Sequence, residues 1–207
     1  GICVFLLAGD TRYWPGWMFV CITAIRFAVG VLIFRNRPGL IQERVKPGPG
    51  TVWWDKVFYA VSGPLFLTIL VVGSLDGGRF KWSADMSAWW IAAGACLHIL
   101  SHILVLWAMH VNDFFSSTVR IQTERNHQVV DSGPYRYVRH PGYIAAAFMA
   151  FSLALLLGSW YAMIPAVGVI VSLVIRTALE DRTLRNELEG YEQYCAATQH
   201  KLFPGLW

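Results

Sequence analysis

The 207-residue chain is hydrophobic at 56% of its positions and charged at only 14%, and its mean hydropathy is +0.45. Soluble domains carry roughly 25% charged residues, so this composition excludes an ordinary soluble domain and predicts an integral membrane protein. The formal net charge of +4 is small and spread along the chain. It argues against a nucleic-acid partner and suits an anionic membrane surface or an anionic ligand.

Four apolar stretches predict an all-α integral membrane bundle of about five transmembrane helices. A helix needs about 20 apolar residues to cross a bilayer, and the first three candidates are residues 15–34, 57–75 and 87–109. Gly63-Pro64 predicts a kink in the second candidate. The fourth stretch, 143–175, is too long for one crossing, so it predicts a hairpin of two shorter helices that turns at Gly158-Ser159. Residues 1–9 are apolar but too short to span.

The charge distribution predicts the orientation of these helices. Five crossings place residues 35–56, 110–142 and 176–207 on the same side of the membrane. That side carries 13 Lys and Arg residues and the other side carries three, with Arg26 inside a span. Because cytoplasmic loops have an excess of positive residues, we predict a multi-pass protein whose polar segments 112–143 and 176–207 meet on the cytoplasmic side.

The first polar segment ends in GPYRYVRHPGY, residues 133–143. His140 precedes a proline and is therefore disfavoured in a helix, whereas Pro141 suits the first position of the next helix. Free backbone N–H groups at that helix start, with Arg136 and Arg139 nearby, predict an anion site, because a guanidinium holds a carboxylate or phosphate through two hydrogen bonds. The alternative is that these arginines only bind lipid headgroups.

The second polar segment begins with two adjacent acids, Glu180 and Asp181. Such a pair is suited to binding an ammonium or sulfonium cation, or to acting as a general base. However, each acid also lies four residues from an arginine, Arg176 or Arg185, which is the spacing of an ordinary salt bridge on a solvated helix face. Further along, an apolar face for packing is predicted by the 4-3-4 spacing of Leu184, Leu188, Tyr191 and Cys195. The end, KLFPGLW (201–207), either folds back as a lid or anchors in the interface.

Three basic residues lie within the predicted spans. His98 and His102 are one helical turn apart, a spacing that can hold a metal, but no third ligand accompanies them, so we predict no metal site and interpret them as a polar face inside the bundle. Arg26 either pairs across helices or reaches an edge. The glycine-rich and catalytic motifs of soluble nucleotide-binding domains are absent.

The loop GPYRYVRHPGY, the apolar hairpin, Glu180-Asp181 and LEGYEQYCAATQHKLFP (188–204) together resemble the isoprenylcysteine carboxyl methyltransferase family. That family belongs with the phospholipid methyltransferases among small integral membrane methyltransferases. The resemblance covers about the last hundred residues. It implies an enzyme that uses S-adenosylmethionine at the cytoplasmic membrane surface. Residues 111–207 would form the catalytic, cofactor-binding region, whose C-terminal helix closes the cofactor pocket, and residues 1–110 would form transmembrane helices on the acceptor side.

The resemblance also implies the site residues. Arg139 and Glu180 are the implied catalytic residues. The implied cofactor-binding residues are His127, Tyr135, Arg136, His140, Pro141, Tyr143, Asp181, Tyr191, Tyr194, Leu202, Phe203 and Pro204. Two departures from the family pattern, the Glu-Asp pair where Glu-Glu is common and Ala145 where glycine is frequent, leave the acceptor open.

The implied acceptor is the α-carboxylate of a prenylated cysteine or a similar lipidated small molecule that enters from the bilayer. A carboxylate needs no deprotonation at pH 7, whereas an amine acceptor needs a base, for which Glu180 or His127 is the candidate. Three other functions stay open: N-methylation of a phospholipid amine, an NADPH-dependent membrane reductase, and a non-catalytic protein whose basic loop binds anionic lipid. The sequence gives no indication of the oligomeric state.

Overall fold

A computed structural model describes residues 1–46, 49–84, 86–205 and 207, and over these ranges the chain is helical and contains no strand. The α-helices of this part of the chain are α1 (Ile2–Ala8), α2 (Trp14–Phe34), α3 (Pro38–Val45), α4 (Trp53–Ser74), α5 (Ala88–Val111), α6 (Pro141–Leu156), α7 (Met163–Glu187) and α8 (Tyr191–Ala197). The predicted all-α architecture is confirmed.

Four of the described helices are long and apolar enough to cross a membrane. They are α2, α4 with the π-helical turn Leu75–Phe80 that continues it, α5, and α7. Helix α4 runs on through Pro64. Helix α6 is also apolar, but its 16 residues extend only about 24 Å, which is less than the roughly 30 Å of a hydrocarbon core. The described part of the chain therefore has four helices long enough to cross a membrane and one shorter apolar helix, which agrees with the prediction of about five.

The predicted hairpin turns where the sequence indicated. Gly158 adopts a left-handed backbone conformation with φ of 69°, and the buried hydroxyl of Ser159 donates to Asp76 Oδ2 at 2.6 Å. The prediction of two shorter helices is wrong for the second one, because α7 has 25 residues. Strong helix formers such as Ala178, Leu179 and Glu180 follow the apolar run, so the helix continues into the polar segment.

The predicted apolar face of the second polar segment is shared by two helices. Gly190, with φ of 80°, separates α7 from α8. Leu188, Tyr191 and Cys195 are nevertheless buried in one cluster with Tyr135, and Leu184 packs against them. The break therefore redirects the chain without separating the packing residues.

The polar segments meet at one end of the bundle. The N–H of Val52 donates to the Val119 carbonyl at 3.3 Å. Arg37 pairs with Asp113 at 3.1 Å, and a backbone hydrogen bond of 2.9 Å joins Arg139 to His200. Residues 35–56, 110–142 and 176–207 thus assemble on the same side, as the five-crossing topology requires. That this side is cytoplasmic remains a prediction.

Helices α5 and α6 approach each other closely at Gly94. A Cβ atom there would lie 2.6 Å from the backbone nitrogen of Leu156 and 2.7 Å from Leu155 Cβ. Small residues let transmembrane helices pack at short distance. The contact fixes the end of α6 that lies away from the loop.

Replacing Gly94 by alanine should destabilise the protein, because the added methyl group collides with backbone that cannot yield locally. Overpacking typically costs about 1–3 kcal/mol, so we expect a clearly lower thermal midpoint in detergent. Gly63→Ala is the matched control, because no heavy atom lies within 4 Å of the added Cβ. Equal midpoints for the two variants would show that α5 and α6 do not pack as described.

Candidate functional site

Residues 112–140 form an irregular loop that buried polar contacts hold in place. The Gln122 side chain is fully buried and donates from Nε2 to the Phe114 carbonyl at 2.7 Å. The Arg120 guanidinium is buried and donates to Glu43 at 2.8 Å and to Glu124 at 2.6 Å. Because buried polar groups need such partners, these contacts stabilise one conformation of the loop.

A cleft with a cavity volume of about 130 Å³ lies between this loop, the first turn of α6, the polar end of α7 and helix α8. Nine predicted site residues line it: His127, Tyr135, Arg139, His140, Pro141, Tyr143, Glu180, Tyr191 and Tyr194. The fold thus brings together residues that lie up to 67 positions apart in the sequence.

Five predicted site residues do not line this cleft. Arg136 is exposed on the 3₁₀ turn Gly133–Arg136, and Asp181 is buried in an ion pair beside the cleft. Leu202 packs with Val138 and Ile144. The Phe203 ring lies 5.9 Å from the Phe148 ring, and Pro204 is exposed. Leu202, Phe203 and Pro204 therefore lie beside the cleft and do not line it.

Arg139 is engaged entirely within the protein. Its Nε donates to Asp181 Oδ1 at 2.7 Å and its Nη2 to Oδ2 at 3.2 Å. Its Nη1 donates to the carbonyls of Thr198 at 2.7 Å and Gln199 at 2.9 Å. Burial alone would lower the pKa of Arg139, but the hydrogen bond and the negative charge of Asp181 raise it by a larger amount. The pKa is therefore above its usual value, and the side chain stays charged. This geometry favours a role in positioning the loop against α7.

Glu180 differs from its neighbour because it faces the cleft. One carboxylate oxygen accepts a hydrogen bond from the Tyr143 hydroxyl, and the other lies 4.0 Å from His140 Nδ1. The expected alternative pairing with Arg176 is not formed, whereas Asp181 does pair with Arg185 at 3.2 Å. Glu180 therefore places a carboxylate where a cationic ligand can reach it.

Arg176 was missed as a site residue. It pairs with Asp55 at 2.9 Å, and its guanidinium lies 4.3 Å, 5.0 Å and 5.1 Å from the ring centroids of Phe58, Tyr59 and Tyr143. Such cation–π contacts hold the charge at the edge of the cleft, which Arg176 and Tyr143 both line. The available signal was an arginine at the end of an apolar run, four residues before Glu180.

Phe115 was also missed, although two phenylalanines in a polar loop were a signal. Its ring covers Gly142 so closely that a Cβ there would lie 2.8 Å from it. At the same helix start, the N–H groups of Tyr143 and Ile144 donate to the His140 carbonyl at 3.0 Å and 3.4 Å. Among the N–H groups of Gly142, Tyr143 and Ile144, which we expected to bind an anion, only that of Gly142 has no partner among the described residues.

His127 is a neutral imidazole. Its Nδ1 accepts the N–H of Gln122 at 3.3 Å, and its ring stacks on Phe114 at 4.6 Å. Burial, with the neighbouring charges of Arg120 and Arg125, lowers the pKa of His127 to about 4. At pH 7 this side chain is therefore a weak base.

Removing the Asp181 charge should be far more disruptive than removing that of Glu180. Asp181→Asn leaves the Arg139 guanidinium buried without an anion, which we expect to lower the free energy of unfolding by about 3 kcal/mol. Glu180→Gln should cost less than about 1 kcal/mol, because Glu180 is partly exposed and Gln still accepts from Tyr143. Denaturant unfolding in detergent measures both, and equal losses would contradict the assigned pairing.

The lowered pKa of His127 predicts a pH-dependent stability. Between about pH 6.5 and pH 4 the unfolded chain binds a proton at this residue that the folded chain does not, so its contribution to stability is lost as the pH falls. Thermal midpoints should therefore fall more from pH 7.5 to pH 5 in the wild type than in His127→Gln. Parallel curves would show that His127 titrates normally.

Comparison with known families adds an independent observation. Residues 89–189 match the family model described as phospholipid methyltransferase. No curated protein matches the chain. The matched range contains the loop, the hairpin and Glu180, and hence most of the residues that line the cleft. Residues 89–189 of this chain thus resemble the phospholipid methyltransferase family, the family of isoprenylcysteine carboxyl methyltransferase-like membrane methyltransferases.

Proposed function

We propose that the protein transfers a methyl group from S-adenosylmethionine to a membrane-embedded acceptor at this cleft. The proposal rests on the Glu180 carboxylate, which is partly exposed in the cleft that the rings of Tyr143, Tyr191 and Phe115 also line. Glu180 lies within the family-matched segment, residues 89–189. Cationic ligands are bound by such a combination of an acid with aromatic faces.

The cleft suits this cofactor chemically. Glu180 would hold a positively charged part of the cofactor, the aromatic side chains would stack on its adenine or contact its sulfonium, and the N–H of Gly142 would donate to its carboxylate. Ligand pockets typically measure roughly 300–1,000 Å³, so the 130 Å³ cavity must widen.

When bound, S-adenosylmethionine supplies an electrophilic methyl group. The task of the protein is then to hold donor and acceptor in line, because alignment alone lowers such a barrier substantially. The Tyr143 hydroxyl orients the Glu180 carboxylate. Arg139, which the resemblance implied as catalytic, we propose as a positioning residue that fixes the loop through Asp181. Apolar side chains around the cleft exclude water.

For the acceptor we propose a carboxylate, such as that of a prenylated cysteine or a similar lipidated molecule. Such an acceptor needs no base, and this agrees with the low pKa of His127. The second candidate is a phospholipid amine, which the description of the matched family favours. The two products differ, because a methyl ester is cleaved by base and a methylated amine is not.

The topology also suggests where the cofactor and the acceptor bind. We propose that residues 111–207 hold the cofactor and that residues 1–110 form the acceptor side, with the cleft opening to the cytoplasm. The charge asymmetry of the loops supports the cytoplasmic orientation. A lipid acceptor would reach the cleft from the bilayer.

Calorimetric titration with S-adenosylhomocysteine tests the proposal in detergent-purified protein. We expect micromolar binding to the wild type and binding weaker by about tenfold, or about 1.4 kcal/mol, for Glu180→Gln. Glu187→Gln is the matched control, because Glu187 lies on the same helix and is exposed, and it should bind like the wild type. Absence of binding to folded wild type would refute the proposal.

A further inference from the structure

Arg176 lines the cleft, and two further arginines, Arg44 and Arg26, lie within electrostatic range of Arg176 or of each other. Arg176 on α7 pairs with Asp55. Arg26 on α2 and Arg44 on α3 form no ion pair with any residue that the structure describes. Two positive charges on the α2–α3 side of the bundle are therefore left without an anion.

These arginines form a connected row. Arg44 interacts electrostatically with Arg26 and with Arg176, and Arg26 also interacts with His102 on α5. The Arg44 guanidinium lies 5.0 Å from the centroid of the Phe115 ring, and Phe115 lines the cleft. The row thus extends from the interior of the membrane to the side of the cleft.

Buried polar atoms without partners lie at the membrane end of this row. Both ring nitrogens of His102 and the Nε of Arg26 are buried and unpartnered among the described residues. His102 is only 7% exposed. Its neighbour His98, in contrast, bonds to Ser152 at 2.9 Å. An unsatisfied buried polar group costs roughly 1–3 kcal/mol, so this cluster is better explained by a ligand than by the stability of the fold.

The depth of the cluster suits a lipid. His102 lies nine residues before the end of α5, and Arg26 lies eight residues before the end of α2. These separations correspond to about 12–14 Å along the helices, within the half of the bilayer next to the cleft. Helix α2 is largely exposed on the outside of the bundle. A lipid can therefore approach Arg26 without leaving the membrane.

We propose that Arg26, Arg44 and His102 bind the negatively charged head of an amphiphile, a carboxylate or a phosphate, beside the methyl-transfer cleft. Two arginines supply charge-assisted hydrogen bonds, and the imidazole supplies a further donor. The inference rests on the proposed function and extends it, because it assigns an anionic head to the acceptor or to a lipid that accompanies it. An acceptor with a cationic head would be repelled.

The test compares amphiphiles that share one chain and differ in charge. N-acetyl-S-farnesylcysteine, its uncharged carboxamide and farnesyl phosphate are titrated into detergent-purified protein, with tryptophan fluorescence as the readout. For the wild type we expect the free acid to bind about tenfold or more tightly than the carboxamide, as hydrogen bonds to a charged group predict. The preference should be lost in Arg26→Gln and in Arg44→Gln.

Arg35→Gln is the matched control, because Arg35 is exposed at the same end of α2, and it should keep the preference. If Arg26→Gln does not fold, Arg44→Gln, on the short helix α3, carries the test alone. Tighter binding of farnesyl phosphate that is lost in the same variants supports the site and identifies a lipid phosphate as its ligand. Equal binding of acid and carboxamide, or a preference that survives both substitutions, overturns the proposal.

Titration with S-adenosylhomocysteine separates the two proposals. Arg26→Gln and Arg44→Gln should bind it as the wild type does, because neither residue lines the cleft. If S-adenosylhomocysteine binds but the free acid binds no more tightly than the carboxamide, only the anion site is refuted. If the acid preference holds without any binding of S-adenosylhomocysteine, the anion site stands and the methyl-transfer proposal fails.

Discussion

The buried pair of Arg139 and Asp181 joins the parts of the chain that build the cleft. Removing two charges from water is costly unless every donor and acceptor is satisfied. Here the guanidinium also donates to two carbonyls of the tail, and the Tyr191 hydroxyl donates to Asp181 at 3.2 Å. Because the partners come from the loop, α7, α8 and the tail, the pair forms only when all four are in place.

Side chains of the same chemical type have different roles here, depending on whether a partner of opposite charge lies beside them. Neighbouring residues on a helix point about 100° apart, so Asp181 is buried in the pair while Glu180 faces the cleft. Among the arginines, Arg176 has an anion and an aromatic enclosure, whereas Arg26 and Arg44 have no anion among the described residues. On the two proposals made above, Glu180 would bind a cation, and Arg26 and Arg44 would bind an anion.

Much of this organisation could be predicted because it depends on local patterns. Hydropathy placed the long spans, Gly158 marked the hairpin turn, and the returning hairpin brought the two polar segments together. Ion pairs between helices could not be predicted. The four-residue spacing suggested that Arg176 pairs with Glu180, but because α4 packs against α7, Arg176 pairs with Asp55 instead. Arg136 and Arg139 are alike in sequence, but Arg136 is exposed at the end of a 3₁₀ turn, whereas Arg139 is buried against Asp181.

We propose that the cleft between the loop and α7 binds the methyl donor. Ultraviolet cross-linking of tritiated S-adenosylmethionine to purified protein, followed by peptide mapping, tests this binding site. Binding in the cleft should label peptides from residues 112–143 and 176–194, and competition by unlabelled S-adenosylhomocysteine should remove that label. Label confined to residues 1–87, or label that competition does not reduce, would contradict it.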